Sequence, residues 1–394
     1  MQTKILHIAN YYIGAKVYKN LVLALDQIGV EQTIYTAFAG QHLVGANQPK
    51  LEVPASKIIY RPILNTYTRL NYGHKTKKIT ADILKYISDE KFNVLHAHTL
   101  FSDGRVAYNL YKRYGTPYIV AIRNTDLNFF FRYFLHLRSQ ARNTLLSAKK
   151  IIFISEAYRK RLLAHPYFSN YRDELAAKSI VLPNGIDPYW LNNAVILSHQ
   201  KLQAPARLLY VGKISRGKNL LRLITVVIRL NSSGIKCVLH IAGSGSGKYY
   251  QAVASLIKKH RELLVYHGAI TDKASLLSLY RESDLFVMPS RKETFGLVYV
   301  EALSQGIPVI YTKNEGIDGF FPPETGESVN CDDEDDISFK IRKILENYSI
   351  YCFEPQKITC AFNWTSIAEK YSAIYNSVSL NIFPHIQSND TTIR

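Results

Sequence analysis

Residues 284–312 read DLFVMPSRKETFGLVYVEALSQGIPVIYT. The apolar run that ends at Pro289 has the length and composition of a buried strand. A short polar loop follows, then Gly296, and a helix is predicted to open near Leu297. Ligands of open α/β sheets sit at the carboxyl ends of strands. The free N–H groups and positive end of a helix favour a phosphate there. Glu293 lies in the loop and Glu301 about one turn inside the helix, so the two carboxylates can reach different parts of one ligand. A carboxylate accepts two hydrogen bonds, which suits the vicinal hydroxyls of a ribose or a hexose. A loop with two solvated glutamates would have the same spacing.

The strand-then-helix rhythm extends outward on both sides. In the second half, strands are predicted at 207–211, 236–242, 263–267, 284–288 and 308–311, with helices at 219–230, 249–260, 273–281 and 297–304. In the first half, strands are predicted at 4–9, 32–37, 93–97, 117–122 and 150–154. Helices are predicted at 18–28, ending at Gly29, and at 80–88, 104–114 and 131–148. Such alternation implies parallel sheets covered on both faces. The 394 residues suffice for two domains, each with its own core. The hinge is placed near 183–187 or in the polar stretch 192–205. A last helix at 365–377 precedes a polar tail.

Composition narrows the class. The net charge is +18, and residues 1–183 hold 26 Lys+Arg against 11 Asp+Glu, or +15 of it. A one-sided basic surface attracts nucleic acid, acidic polymers or anionic membranes. No compact nucleic-acid motif accompanies the charge, so nucleic acid is not expected as a partner. No apolar run reaches the roughly 20 residues of a membrane span. The N-terminus has no signal-peptide pattern. The four cysteines, Cys237, Cys331, Cys352 and Cys360, have no Cys-x-x-Cys spacing. The expected location is therefore cytoplasmic. Residues 128–138, NFFFRYFLHLR, interleave aromatics with cations. With the cations of 69–78 they suggest peripheral contact with an anionic membrane surface, on the inner face of the cell membrane. The same aromatics could equally be core.

The quoted segment resembles the signature of retaining family 4 glycosyltransferases of GT-B fold. The matching residues are Pro289-Ser290, Glu293-Thr294-Phe295-Gly296, Glu301-Ala302 and Gly306-Ile307-Pro308-Val309. The resemblance implies an α/β chain of GT-B architecture, with two Rossmann-like doubly wound domains facing each other across a cleft. Residues 1–185 would bind the acceptor and 186–363 the nucleotide sugar. A helix at 364–378 would cross back to the N-terminal domain, leaving a disordered tail at 379–394. It also implies a hexosyltransferase that needs no cofactor and no metal. Glu301 would hold the donor ribose and Glu293 the donor sugar. The backbone of Phe295, Gly296 and Leu297 would lie beside sugar and phosphates. Gly212-Lys213 with Lys218-Asn219 resembles the family's diphosphate grip, although Lys213 stands where Arg is usual and lacks the bidentate fork. Residues 183–187, PNGID, resemble the turn that opens the family's C-terminal domain. Residues 241–245, IAGSG, match its glycine turn; a Walker loop is rejected there because the spacing is wrong and Tyr249 follows Lys248. The acidic run 332–336 reads as a solvated helix start rather than a metal site.

The chain departs from that pattern on the acceptor side. The first loop has one glycine, Gly14, where relatives have two. After the strand at 117–122, relatives often place His-Gly-x-Asp, whereas this chain has Arg123-Asn124-Thr125-Asp126. Arg123 cannot act as a base but can stabilise a departing phosphate. Arg123 and Asp126 are therefore candidates beside the reacting sugar, with an ion pair at a strand end as the plainer reading. His96 and His98 share one strand face. Two histidines without a third ligand are weak grounds for a metal. The family often has a His-x-His here, so the resemblance implies a structural or acceptor-side role for His98. The expected function is retaining transfer from a nucleotide sugar to a glycan or lipid-linked acceptor, in bacterial surface polysaccharide or glycolipid synthesis. An inactive sugar-nucleotide-binding GT-B protein, a related epimerase or phosphorylase, and a basic nucleic-acid-binding protein are the alternatives.

Overall fold

The computed structural model describes residues 3–87, 90–198, 202 and 204–380. The chain divides into two compact units. The first takes the residues up to Ile154, Arg159–Leu182 and the chain from Trp364; the second takes Ser155–Tyr158 and Pro183–Asn363.

The first unit holds seven strands: β1 (Lys4–Ile8), β2 (Glu31–Ala37), β3 (Lys57–Arg61), β4 (Val94–Ala97), β5 (Tyr118–Ile122), β6 (Lys150–Phe153) and β7 (Ser179–Val181). All pair in parallel, in the order β3-β2-β1-β4-β5-β6-β7. Strand β5, YIVAI, is buried along its whole length, as a parallel strand covered on both faces must be. One face is covered by helix Lys16–Gln27 and the last helix, Trp364–Leu380. Ile5, Val94, Ile119 and Ile152 pack there against Trp364, Ile367, Tyr371 and Tyr375. The C-terminal helix therefore completes the first unit's core, late as it comes in the chain. Of the tail expected at 379–394, Ser379 and Leu380 belong to this helix, and the rest lies outside the described residues.

The second unit holds β8 (Ala206–Val211), β9 (Cys237–Ala242), β10 (Leu264–Gly268), β11 (Leu285–Val287), β12 (Val309–Thr312) and β13 (Gly326–Val329). These too are parallel, in the order β10-β9-β8-β11-β12-β13. Helix Leu220–Ser232 lays Leu223, Ile224 and Val227 into a core shared with Leu208, Tyr210, Leu239, Ile241 and Phe286. In each sheet the strand order reverses once, between β1 and β4 and between β8 and β11. That reversal opens a crevice at the strands' carboxyl ends.

Two expectations need correction. The helix predicted over 131–148 is broken into a π-helical turn (Asp126–Phe131), a 3-10 turn (Leu135–Leu137) and a helix at Arg138–Ser147. Arg138 Nε donates to the Phe131 carbonyl at 3.0 Å. A continuous helix would give that carbonyl to the N–H of Leu135. Phe134 leaves helical geometry at φ −105°, ψ 72°. Strands β3, β7 and β13 were not predicted. Strand β3 lies at the sheet edge with no buried residue, and β7 has only three residues.

Candidate donor site

The switch point of the second sheet is built from two glycine turns stacked on each other. Chain leaving β8 passes through Gly212-Lys213, and chain leaving β9 passes through residues 243–246. Gly212 N–H donates to the Ala242 carbonyl at 2.9 Å, and Ile214 N–H to the Ser244 carbonyl at 2.8 Å. Gly243 sits at φ +156°, and a Cβ there would stand 1.9 Å from the Gly212 carbonyl oxygen. Only glycine allows this approach. The turns line a pocket of about 570 Å³ that includes Gly212, Lys213, Ser244, Ser246, Ile270 and Leu276. Its lining includes Gly243 and Gly245, which carry no side chain to keep an anion from main-chain N–H groups.

The loop after β11 comes to the same end of the sheet. Arg291 N–H donates to the Gly217 carbonyl at 2.9 Å, tying this loop to the turn after β8. Lys218 Nζ is ion-paired with Glu293. The Glu293 carboxylate is buried, and it also accepts the Thr294 N–H at 3.1 Å. The backbone of Glu293 is held from both sides: its N–H by Glu315 Oε2 at 3.0 Å, its carbonyl by Gly316 N–H at 3.0 Å. Gly316, at φ +52°, leaves no room for a Cβ, which would meet the Phe295 carbonyl at 2.6 Å.

Gly296 takes φ +86°, ψ 69° and opens helix Leu297–Ser304, which no side chain caps. A Cβ on Gly296 would stand 2.4 Å from the Tyr299 ring. The helix start is thus offered by backbone, with its positive end unopposed by any acidic residue in the first turn. Phe295 turns its ring into the core against Phe320 and Phe362, so it can face a ligand only through its main chain. Leu297 is the first residue of the helix, partly buried on the same core. Glu301 lies one turn on. Burial pushes its carboxyl up to about 7, offset in part by the Tyr280 hydroxyl, which donates to it at 3.2 Å. Asp187 raises it further and Lys273 lowers it. Asp187 and Lys273 are themselves ion-paired at 2.6 Å, and Asp187 caps helix Pro188–Asn192. Tyr280 lies one helical turn beyond Leu276 of the pocket wall.

The structure therefore brings together Gly212, Lys213, Lys218, Glu293, Phe295, Gly296, Leu297 and Glu301 at one end of one sheet. Sequence reasoning missed Tyr280, Glu315 and Gly316, whose neighbours in sequence carry no motif. The acidic run is spent as expected on a helix start. Asp333 caps helix Glu334–Glu346, and Asp332 and Asp335 pair with Arg222 and Arg229.

In the first unit the candidates fall differently. Asp126 is 1% exposed, and its carboxylate accepts the N–H groups of Leu100, Phe101 and Arg123 at 3.0, 3.3 and 2.8 Å. Burial raises its carboxyl to about 6. With both oxygens spent on backbone, Asp126 is a clamp that positions Arg123, not the substrate-facing group expected. Arg123 is partly exposed at the end of β5. Its Nε donates to the His98 carbonyl at 3.1 Å, and its guanidinium lies 5.6 Å from the Tyr18 ring. Gly14 ends a 3-10 turn beside the exposed Tyr11 ring. The His98 ring is buried, so of its two assigned roles the structural one fits the geometry.

Comparison with known proteins matches both units. Residues 14–190 match the family described as Glycosyltransferase Family 4, and residues 197–356 match Glycosyl transferases group 1. A glycogen synthase of Mycobacterium tuberculosis is 28% identical over 207 residues, 50% of this chain and 48% of that protein. The chain thus spans about half the length of that relative. An uncharacterized 41.2 kDa protein from the cps region of Klebsiella pneumoniae is 26% identical over 329 residues, covering 75% of this chain and 82% of its own. The solved structure of Anabaena HepE in complex with UDP-glucose superposes with a TM-score of 0.60 at 14% identity, covering 97% and 99% of the two chains.

Proposed function

Because the chain belongs to the group 1 glycosyltransferases, we propose that it transfers a hexose from a nucleotide sugar to a glycan or lipid-linked glycan, with retention at the anomeric carbon. The observation that carries this reading is the Lys218–Glu293 pair, held beside a glycine-floored pocket at the strand-order reversal of the second sheet. The nucleoside diphosphate lies over the glycine turns, with Lys213 and Lys218 on its phosphates and Glu301 on the ribose diol. Glu293 and the start of helix Leu297–Ser304 face the sugar.

Transfer breaks the bond from the anomeric carbon to the phosphate oxygen and forms one to the acceptor oxygen on the same face. The hydroxyl proton passes to the departing phosphate. Lys213, Lys218 and the helix N-terminus stabilise the charge that develops there. Arg123 is the residue of the first unit assigned a part in the transfer step. No metal is assigned to the reaction.

The acceptor belongs to a surface polysaccharide or glycolipid pathway on the cytoplasmic side. Among the described residues no helix is long and apolar enough to cross a membrane. Phe129, Tyr133 and Leu135 are 50%, 61% and 61% exposed and interleave with the cations Arg132 and Arg138, whereas Phe131 is core. This patch supports peripheral contact with anionic lipid. Sedimentation with phosphatidylglycerol vesicles tests it: binding lost in the triple Ser variant of these three residues supports the contact, and equal binding by the variant contradicts it.

The function itself is tested by a panel of nucleotide sugars, read by thermal shift and by hydrolysis of the donor. At least one is expected to stabilise the protein and be turned over. If none binds, and Glu301→Ala changes nothing, the reading fails.

A further inference from the structure

The sheet of the first unit buries three imidazoles side by side. In the parallel register of β1 and β4, His7 is the direct partner of His96. Register partners share a face, and alternation returns His98 to that face. The His98 N–H donates to the Ile8 carbonyl at 3.1 Å, so the pairing continues past β4 and fixes the ring's place. His7, His96 and His98 are 0%, 0% and 2% exposed. One nitrogen from each lies within 4.8 Å of the others. Among the described residues this is the one cluster of histidine, cysteine or carboxylate groups with metal-holding geometry.

The polar accounting is incomplete. His7 Nδ1 and His98 Nε2 face each other at 3.0 Å, and His96 Nδ1 meets the Tyr375 hydroxyl at 2.8 Å. The remaining ring nitrogens, His7 Nε2, His96 Nε2 and His98 Nδ1, have no hydrogen-bond partner among the described residues. Native proteins seldom leave three buried polar atoms in one cluster unsatisfied. All three rings are buried, and the neutral imidazole is the form that binds a metal. We propose that His7, His96 and His98 form a buried structural site for a first-row transition metal ion, with Zn²⁺ as its best-suited member.

The chemistry of the surroundings fits such a site. Three imidazoles suit zinc, nickel or cobalt rather than magnesium or calcium, which take oxygen ligands. The Tyr375 hydroxyl on His96 Nδ1 is the outer-shell contact that fixes a ligating ring's tautomer. The rings are stacked, His96 on His98 with centroids 4.0 Å apart and His7 on His98 at 5.2 Å. A metal bonds in the ring plane, so binding turns the rings to bring their lone pairs to one point. Arg123 lies near and opposes a cation: its Nε donates to the His98 carbonyl at 3.1 Å. Tyr18 packs edge-on to His98, and Tyr371 and Tyr375 of the last helix lie over His96. With the cluster covered in this way, metal enters as the first unit folds and leaves slowly. The ion would bind the C-terminal helix to the sheet, a role separate from the transfer reaction.

The test uses the full chain, unfolded with chelator and refolded with Zn²⁺, Co²⁺ or no metal, then gel-filtered. Wild-type protein is expected to keep a single Zn²⁺ per chain through dialysis against chelator and to melt at a higher temperature than the metal-free sample. His7→Phe and His96→Leu are expected to lose both effects. His240→Phe, which breaks the exposed His240–His267 pair, is expected to keep them. Absence of retained metal in the wild type overturns the site and leaves ordered water as the partner of the free nitrogens. Retention by His7→Phe, or loss in His240→Phe alone, overturns it as well. If the cluster variants do not fold, the Co²⁺-loaded wild type decides. Intense visible bands of a low-coordinate imidazole site support the proposal, and the weak bands of a hexa-aquo-like ion contradict it.

Discussion

Removing Lys218 exposes what the Lys218–Glu293 pair contributes to folding and to donor binding. The Glu293 side chain is 10% exposed and that of Lys218 26%, so the carboxylate is buried while the ammonium reaches water. Breaking a fully buried pair costs about 3–5 kcal/mol, and an exposed pair is worth about 0–1 kcal/mol. Glu293 keeps the Thr294 N–H as a second partner, so Lys218→Ala should destabilise by about 2 kcal/mol, between those limits. Glu293→Gln should cost about 1 kcal/mol, because Lys218 can turn to solvent. The double variant should cost no more than Lys218→Ala alone, giving a coupling of roughly 1 kcal/mol. For binding, Lys218→Ala removes a charge-assisted contact worth about 1.5–3 kcal/mol. That is roughly a 10- to 150-fold loss for the nucleoside diphosphate. It also leaves the Glu293 carboxylate unmasked beside the phosphates. The double variant Lys218→Ala, Glu293→Gln should therefore bind the diphosphate more tightly than Lys218→Ala. Urea titration gives the stability cycle and calorimetry with a nucleoside diphosphate gives the binding cycle. Strict additivity in both, with Lys218→Ala binding as the wild type does, would refute the reasoning.

Three further outcomes follow from the same geometry. Gly243→Ala must push a Cβ away from the Gly212 carbonyl at 1.9 Å; it should lower the melting temperature and abolish diphosphate binding, whereas Gly234→Ala, at an open turn, should leave binding intact. Glu301, raised to about 7 in the folded chain, ionises in the unfolded chain near its ordinary 4.5. Between those values the folded state holds the extra proton, so this group's contribution to stability is present below 4.5 and is lost as pH rises to about 7. At about 1.4 kcal/mol per pH unit the ceiling is about 3 kcal/mol, and the wild-type minus Glu301→Gln difference in urea stability should trace that slope. Arg123→Ala should leave diphosphate affinity within roughly 2-fold of wild type while abolishing transfer; a parallel loss of both would remove Arg123 from the acceptor side.

Much of this was legible because parallel strands advertise themselves. Strands β8, β9, β11 and β12 are short apolar runs bounded by glycine, proline or polar residues, and Glu293 and Glu301 sit on a loop and the helix it opens, as their places in the sequence suggest. What stayed hidden depends on long-range register. His7 precedes His96 by most of the first unit's first half, and only the pairing of β1 with β4 makes them neighbours. That is why two histidines were visible and the third was not. The role of Asp126 was misplaced because a sequence shows a carboxylate at a strand end but not the three backbone N–H groups that consume it. The break in the 131–148 helix turns on Arg138 reaching a single carbonyl, a contact that periodicity does not encode.

The central claim is that the pocket beside Gly212 and Gly243 holds a nucleotide sugar whose ribose rests on Glu301. Isothermal titration of the wild type and of Glu301→Ala with the matching nucleoside diphosphate and nucleoside tests it most directly. The account predicts that the wild type binds both and that Glu301→Ala loses about 1.5–3 kcal/mol for each, since both ligands carry the ribose. An unchanged affinity in Glu301→Ala for both ligands would contradict it.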